Sequence, residues 1–198
     1  MAPAAVLDFW FGAERAIALR DPARGRLWWR KDPATDAAIR ARFGAWVARA
    51  LAGGLEGWAA EPQGLMALVL LCDQFTRNIH RGTPAAFAGD ARALAWSRQA
   101  IAAGWEAGLT VAERAFLYMP LEHSESPADQ EESVARFSDL LAGAPAADRA
   151  ALRRMLDHAR RHRDVIRRFG RFPHRNAILG RPTTAAERAF LRTPGSAF

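Results

Sequence analysis

The chain has almost no cysteine: Cys72 stands alone, so neither an intrachain disulfide nor a cysteine metal cage can form, and a reducing compartment is compatible with it. Lysine is as scarce, with Lys31 the only one among 28 basic residues in a chain of formal net charge +7. Arginine in such excess suits bidentate capture of carboxylates or phosphates. Abundant alanine and glycine beside it, however, are what a GC-rich coding bias also produces, so the charge alone is no nucleic-acid footprint. Long apolar runs are missing too. The longest, "GLMALVLLC" at 64–72, is far short of the roughly 20 residues that span a bilayer, which excludes a membrane helix. The opening "MAPAAVLDFWFG" has no basic start and carries Asp8 inside its apolar stretch, which argues against an export signal. A soluble, cytoplasmic chain is the expectation. There is no phosphate-binding glycine loop, no serine elbow and no dinucleotide fingerprint.

What the sequence does contain is helix punctuation, with no alternating strand pattern to compete. A chain of 198 residues, half of them hydrophobic and a quarter charged, predicts one globular domain over 1–198. Pro3 and Gly12 bracket a helix over 3–11; Asp32 and Pro33 open one over 33–52 that stops at Gly53-Gly54. Residues 62–79 are apolar almost all round and read as a central helix, and Asp90 caps 91–103. Thr110 with Glu113 forms a capping box for 111–119, and Ser126-Pro127 starts 127–142. A long helix over 147–169 ends at Gly170, and Thr184 with Glu187 caps a last short one. Residues 12–26 and 170–183 read as loops. The sum is an all-α fold of about eight helices in stacked antiparallel hairpins.

Three polar groups interrupt this pattern. On the central helix Asp73 and Arg77 are four residues apart and placed to pair, and Gln74 and Asn78 form a second row at the same spacing. They read either as a buried ion pair that fixes helix register or as a polar pocket floor. The second group is "LYMPLEHSE" at 117–125, where Pro120 bends or ends a helix and Glu122, His123 and Glu125 follow. If a helical turn persists, Glu122 and Glu125 share a face and raise each other's pKa; otherwise the segment is a solvated connection. The third is His158, His162 and the loop "GRFPHRN", with Arg171, His174, Arg175 and Asn176. His158 and His162 have the spacing of two metal ligands, but no third ligand is identifiable, and the expectation is no metal and a core role for His162.

The arginines after Arg153 resolve mostly into outward rows, Arg153-Asp157-Arg161 and Arg160-Asp164-Arg168, in which each aspartate separates two arginines. Arg163 lies beside the apolar stripe and is able to point inward. Trp28, Trp29 and Trp46 read as core rather than as a stacking platform, and Cys72 as a buried inert thiol. There is one faint echo: "QFTRN" at 74–78 and "RFPHRN" at 171–176 both place Arg-Asn just past a phenylalanine.

"VLDFWFG" at 6–12, "DQFTRN" at 73–78, "LYMPLEHSE" at 117–125, "RFGRFPHRNAILGR" at 168–181 and the terminal "PGSAF" at 194–198 together resemble the bacterial family known as domain of unknown function 924. The resemblance covers almost the whole chain and implies an all-helical fold similar to tetratricopeptide-like superhelical bundles, with no established activity. The family's recurring polar positions fall here on Asp73, Gln74, Arg77, Asn78, Glu122, His123, Glu125, Arg171, His174, Arg175 and Asn176. One departure is Thr76, where the family pattern has proline.

Two functional readings follow. In one, the three groups meet in a cleft that binds a small anionic ligand. Glu122, His123 and Glu125 handle protons, Arg77 and Arg175 grip the anion, and the reaction is a hydrolysis or proton transfer without a cofactor. In the other, the helix stack is a scaffold that takes a peptide or protein partner in a concave groove. A third possibility is that the motif residues form only a hydrogen-bond network locking helices together. Neither nucleic acid nor membrane is an expected partner, and oligomeric state is not readable.

Overall fold

The computed structural model describes residues 2–196 and is all-helical there. The last two residues of the "PGSAF" motif, and Met1 of the opening segment, lie outside the described residues. Helix α1 is Pro3–Phe11, α2 Pro22–Trp29 and α3 Pro33–Leu51. Helix α4, Pro62–Val69, runs through a π-helical turn at Leu70–Phe75 into α5, Thr76–Ile79. Then come α6 Asp90–Ala102, α7 Val111–His123, α8 Pro127–Ala142, α9 Arg149–Phe169 and α10 Ala185–Leu191. Consecutive helices α6 to α9 pack on their neighbours across short connections, as antiparallel hairpins do, while α4 packs between α1, α6 and α7.

Three capping expectations have direct counterparts. Asp32 accepts from the Ala34 N–H with Pro33 at the first position, and Thr110/Glu113 and Thr184/Glu187 are complete capping boxes. Three boundaries differ, each for a local reason. The supposed loop at 12–26 holds a 3₁₀ turn, Arg15–Arg20, and then α2, whose start is signalled by Asp21 accepting from the Ala23 N–H just before Pro22. Asp90 does not cap α6; it is the first residue of that helix, and its carboxylate is taken by arginines. Helix α7 also does not stop before Pro120 but carries it in its last turns and reaches His123. The buried hydroxyl of Ser97 donates to the Leu117 carbonyl at 2.5 Å, supplying a donor where the proline ring disturbs the ladder. The side-chain amide of Gln130 then meets the carbonyls of Glu122 and Ser124, at 2.6 and 2.7 Å, which pins the C-terminal end of α7.

The central helix is the buried axis: Leu65 through Asp73 are fully or almost fully buried. Its π turn admits one extra residue and turns Asp73 and Gln74 toward α7. Thr76 Oγ donates to the Cys72 carbonyl at 2.6 Å, occupying an acceptor that the wider turn leaves exposed. Gly89 lies against this turn so closely that a Cβ there would stand 2.2 Å from the Cys72 carbonyl oxygen. Any larger residue would push on the segment that holds Asp73. An aromatic cluster fixes the opposite side, with Trp10 5.5 Å and Trp28 4.8 Å from the Phe116 ring. Helix α2 is thereby held against α1 and α7, and Trp29 is left 56% exposed at its end.

Candidate functional site

A cleft of about 800 Å³ opens between α2, the end of the central helix, the end of α7 and the middle of α9. The sequence explains each wall. The π turn brings Gln74 to the cleft and Arg77, Asn78 and Arg81 follow along the same rod; the pinned end of α7 contributes Met119, Glu122 and His123. On α9 the residues Arg154, His158 and Arg161 recur at helical spacing and face in, and α2 with the residues after it supplies Trp28, Trp29, Arg30 and Lys31.

Asp73, with no exposed surface, lies behind the floor. His123 Nδ1 donates to Asp73 Oδ1 at 2.7 Å and Gln74 donates to its other oxygen, while Arg77 Nη1 is 3.4 Å away. Burial works against this charge, but the His123 ring and the Arg77 guanidinium more than offset it and hold the carboxyl well below its ordinary range. The Nδ1 bond fixes the tautomer of His123, so Nε2 is the basic nitrogen on a ring that lines the cleft.

Beside it, Glu122 Oε1 accepts from His158 Nδ1 at 2.6 Å and stands 3.2 Å from His162 Nδ1. The His162 Nδ1 is also 3.0 Å from the His158 carbonyl. Burial pushes His162 down to about 3, so that ring is neutral near pH 7. Burial also opposes the charge of Glu122, and the surrounding imidazoles of His162, His158 and His123 outweigh it, leaving the carboxyl below its ordinary value. Neighbouring Cys72 is buried and its thiol is pushed up to about 12, so it is inert.

The residues singled out from sequence divide into two sets. Asp73, Gln74, Arg77, Asn78, Glu122 and His123 come together at the cleft. Glu125, Arg171, Arg175 and Asn176 do not line it; they clamp the "FPHRN" loop behind the wall. Glu125 follows the extended Ser124, so it does not share a face with Glu122. It accepts from Arg181 at 2.7 and 3.0 Å and from the Phe172 N–H at 2.8 Å. Arg171 grips Glu187 at 2.7 and 2.9 Å, and Asn176 is fully buried in the same loop. Arg175 is buried, donates to the His123 carbonyl at 3.0 Å and lies 3.3 Å from Asp90. His174 is partly buried against the Phe172 ring, and burial lowers it to about 4.

Several expectations are corrected. Arg77 and Arg175 are not gripping hands: Arg77 binds Asp90 at 2.8 and 3.2 Å, so both arginines of the echoed Arg-Asn motif share one aspartate. Asn78 donates to Asp36 at 2.8 Å. Arg161 does not sit in an outward row but lines the cleft, as Asp157 pairs instead with Arg160 at 3.5 Å and Asp164 with Arg163 at 2.9 Å. Arg163 therefore points away from the cleft. Trp46 stacks on Trp58, but Trp29 is a cleft residue and not core. Beside His158 and His162 the fold also places Glu122, a neighbour that spacing did not identify: one donor atom from each residue lies within 4.8 Å of the others.

Sequence reasoning singled out Arg77 but passed over Arg30, Lys31 and Arg154 and assigned Arg161 to the outer face. Arg30, Lys31, Arg154 and Arg161 line it without a hydrogen bond or ion pair among the described residues, whereas Arg20 pairs with Asp148 and Arg81 with Asp36. The signal for Arg154 and Arg161 was their position three or four residues from His158; for Arg30 and Lys31 it was the cap at Asp21, which makes 22–29 a helix aimed at α9.

The fold and the cleft define a class: an all-helical hairpin bundle with one arginine-rimmed pocket whose acids lie at its floor. The chain belongs to the family described as bacterial protein of unknown function, DUF924, whose pattern it matches over residues 6–195. It is also similar to a solved protein of unknown function from Agrobacterium tumefaciens, with 36% identity, 96% of each chain covered and a TM-score of 0.81. No curated protein matches it. Among the described residues no helix is long and apolar enough to cross a membrane.

Proposed function

We propose that the chain binds a small anionic molecule with a flat apolar part and acts on it by proton transfer or hydrolysis. The observation that carries this reading is the pairing of His123 with buried Asp73 beneath a cleft edged by Trp28, Trp29 and unpaired arginines. A carboxylate on Nδ1 orients an imidazole and leaves Nε2 to take up and return a proton, an effect worth 10²–10⁴-fold in typical cases. Arg154, Arg161 and Arg30 supply charge for the anion, and the indole of Trp29 supplies a face for an apolar group.

A second reading, a peptide or protein seated along the cleft, is favoured only by the exposure of Trp29. Size separates the two. A thermal-shift series with phenyl phosphate, benzoate and inorganic phosphate, run on wild type and on Arg154→Ala/Arg161→Ala, tests the first. The expected result is a melting temperature that rises with phenyl phosphate in the wild type and not in the double variant. No shift with any of the three anions, or equal shifts in both proteins, removes the small-anion reading.

A further inference from the structure

We infer that Glu122, His158 and His162 form a binding site for a divalent first-row transition-metal ion, zinc or a neighbour of zinc, with one coordination position open to the cleft. The donor set is two imidazoles from one helix, four residues apart, and one carboxylate from the facing helix, with ligand atoms within 4.8 Å of one another. Two histidines and a glutamate, with a fourth position left for water or substrate, is a set that suits zinc, manganese, iron or cobalt rather than magnesium or calcium. A tetrahedral ion with bonds of about 2.1 Å holds its ligand atoms about 3.4 Å apart. The Glu122–His162 separation of 3.2 Å already meets this, and the Glu122–His158 separation of 2.6 Å needs to open by less than 1 Å.

The stronger argument is an exception in an otherwise uniform pattern. Six carboxylates are buried among the described residues: Asp73, Glu113, Glu122, Asp129, Asp148 and Glu187. Five of them touch an arginine, through Arg77, Arg15, Arg98, Arg20 and Arg171 respectively. Among the described residues Glu122 touches no arginine or lysine and its ion-pair partners are imidazoles, although the chain is rich in arginine and Arg154 and Arg161 line the same cleft. A buried carboxylate needs a positive partner, and a divalent ion between the three side chains supplies it. Coordination through Nδ1 places each imidazole proton on Nε2, so the hydrogen bonds to Glu122 are exchanged for bonds to the ion. The arginines at the rim do not forbid a cation: Arg154 and Arg161 are exposed and screened, whereas Glu122 is a buried negative charge at the floor. Glu122 and His158 line the cleft, so the open position faces it, on the same wall as His123.

The inference does not depend on the small-anion reading, since metal binding is read without any substrate. Wild type stripped with chelator is titrated with Zn²⁺ by calorimetry and with Co²⁺ by visible absorption, alongside Glu122→Gln, His158→Ala, His162→Ala and the remote control His80→Ala. The expected result is one ion per chain with Kd below about 10 µM and low-symmetry cobalt bands. Each ligand variant should weaken binding on the order of 100-fold or more, and His80→Ala should leave it unchanged. Should a ligand variant fail to fold, ¹⁵N shifts of the wild-type imidazoles during the zinc titration report directly, with His158 and His162 moving and His80 still. Binding weaker than 100 µM in the wild type, binding unaffected by His158→Ala, or zinc-induced shifts confined to other histidines would overturn it.

Discussion

Glu122 and Glu125 are three residues apart in one motif, and their surroundings are chemically opposite. Glu125 meets the guanidinium of Arg181 in a two-point grip and a backbone N–H besides, so its charge is permanently matched and its two oxygens are spent. Glu122 is more deeply buried, yet its partners are imidazoles that carry no fixed charge. The helix end between them causes the split: α7 closes at His123, and the extended Ser124 swings Glu125 to the back of the wall. A carboxylate matched to arginine is finished as structure. One matched to imidazoles keeps the capacity to take a metal ion.

The comparison is broken or sharpened first by isosteric replacement. Glu125→Gln removes two charge-assisted bonds and should cost about 2 kcal/mol, which in a chain of this size lowers the melting temperature by about 4–8 °C. Glu122→Gln keeps the shape and loses a charge answered by imidazoles rather than by a fixed guanidinium, so its cost should be the smaller of the two, about 1 kcal/mol. Melting curves of the two variants in chelator decide the matter. Equal losses would mean that both carboxylates are structural.

Acid sharpens the same contrast. Burial opposes the charge of Glu125, and the Arg181 bond together with the Phe172 N–H overcomes it, so its folded carboxyl lies below the unfolded value. Its contribution is therefore fully present above the unfolded pKa, about 4.3, and is lost as pH falls through the lower folded value. The stability gap between wild type and Glu125→Gln, measured by urea unfolding, should be widest near pH 7 and close steadily below about pH 4. A gap that stays constant down to pH 3 would show that the Arg181 contact contributes no charge-dependent stability.

How far these fates were legible in the sequence follows from the range of the forces involved. Caps and apolar stripes act within one or two turns, so Asp32, the two capping boxes and the helix over 33–51 could be read directly. The π turn could not: no local signal marks it, and the residue packed closest against it, Gly89, is distant along the chain. Charge partners were the least legible. Arg77 does pair with Asp73 four residues before it, but its bidentate partner is Asp90, and Arg161 lost its expected aspartate to Arg160. The convergence of Asp73 with His123 was legible as a hope of proximity and no more. The role of Glu122 as neighbour of both α9 histidines depends on how α7 and α9 pack, which periodicity does not specify.

The smallest expected effect tests whether the cleft's cations belong to the reactive side of this division. Arg161 is exposed, lines the cleft and makes no ion pair among the described residues; Arg160, next to it, is also exposed but faces away and pairs with Asp157. Reversing either charge changes the net charge equally and should alter stability by no more than about 0.5 kcal/mol. If the cleft receives an anion, Arg161→Glu should weaken phenyl phosphate about 10-fold, equivalent to about 1.4 kcal/mol, while Arg160→Glu should leave it nearly unchanged because an exposed charge on the far face is screened by salt. Calorimetric titration at two ionic strengths separates a local contact from the overall field, since the field fades with salt for both variants and the contact persists for one. Equal weakening by both would assign anion attraction to the chain's general arginine excess and leave the cleft with no special claim to it.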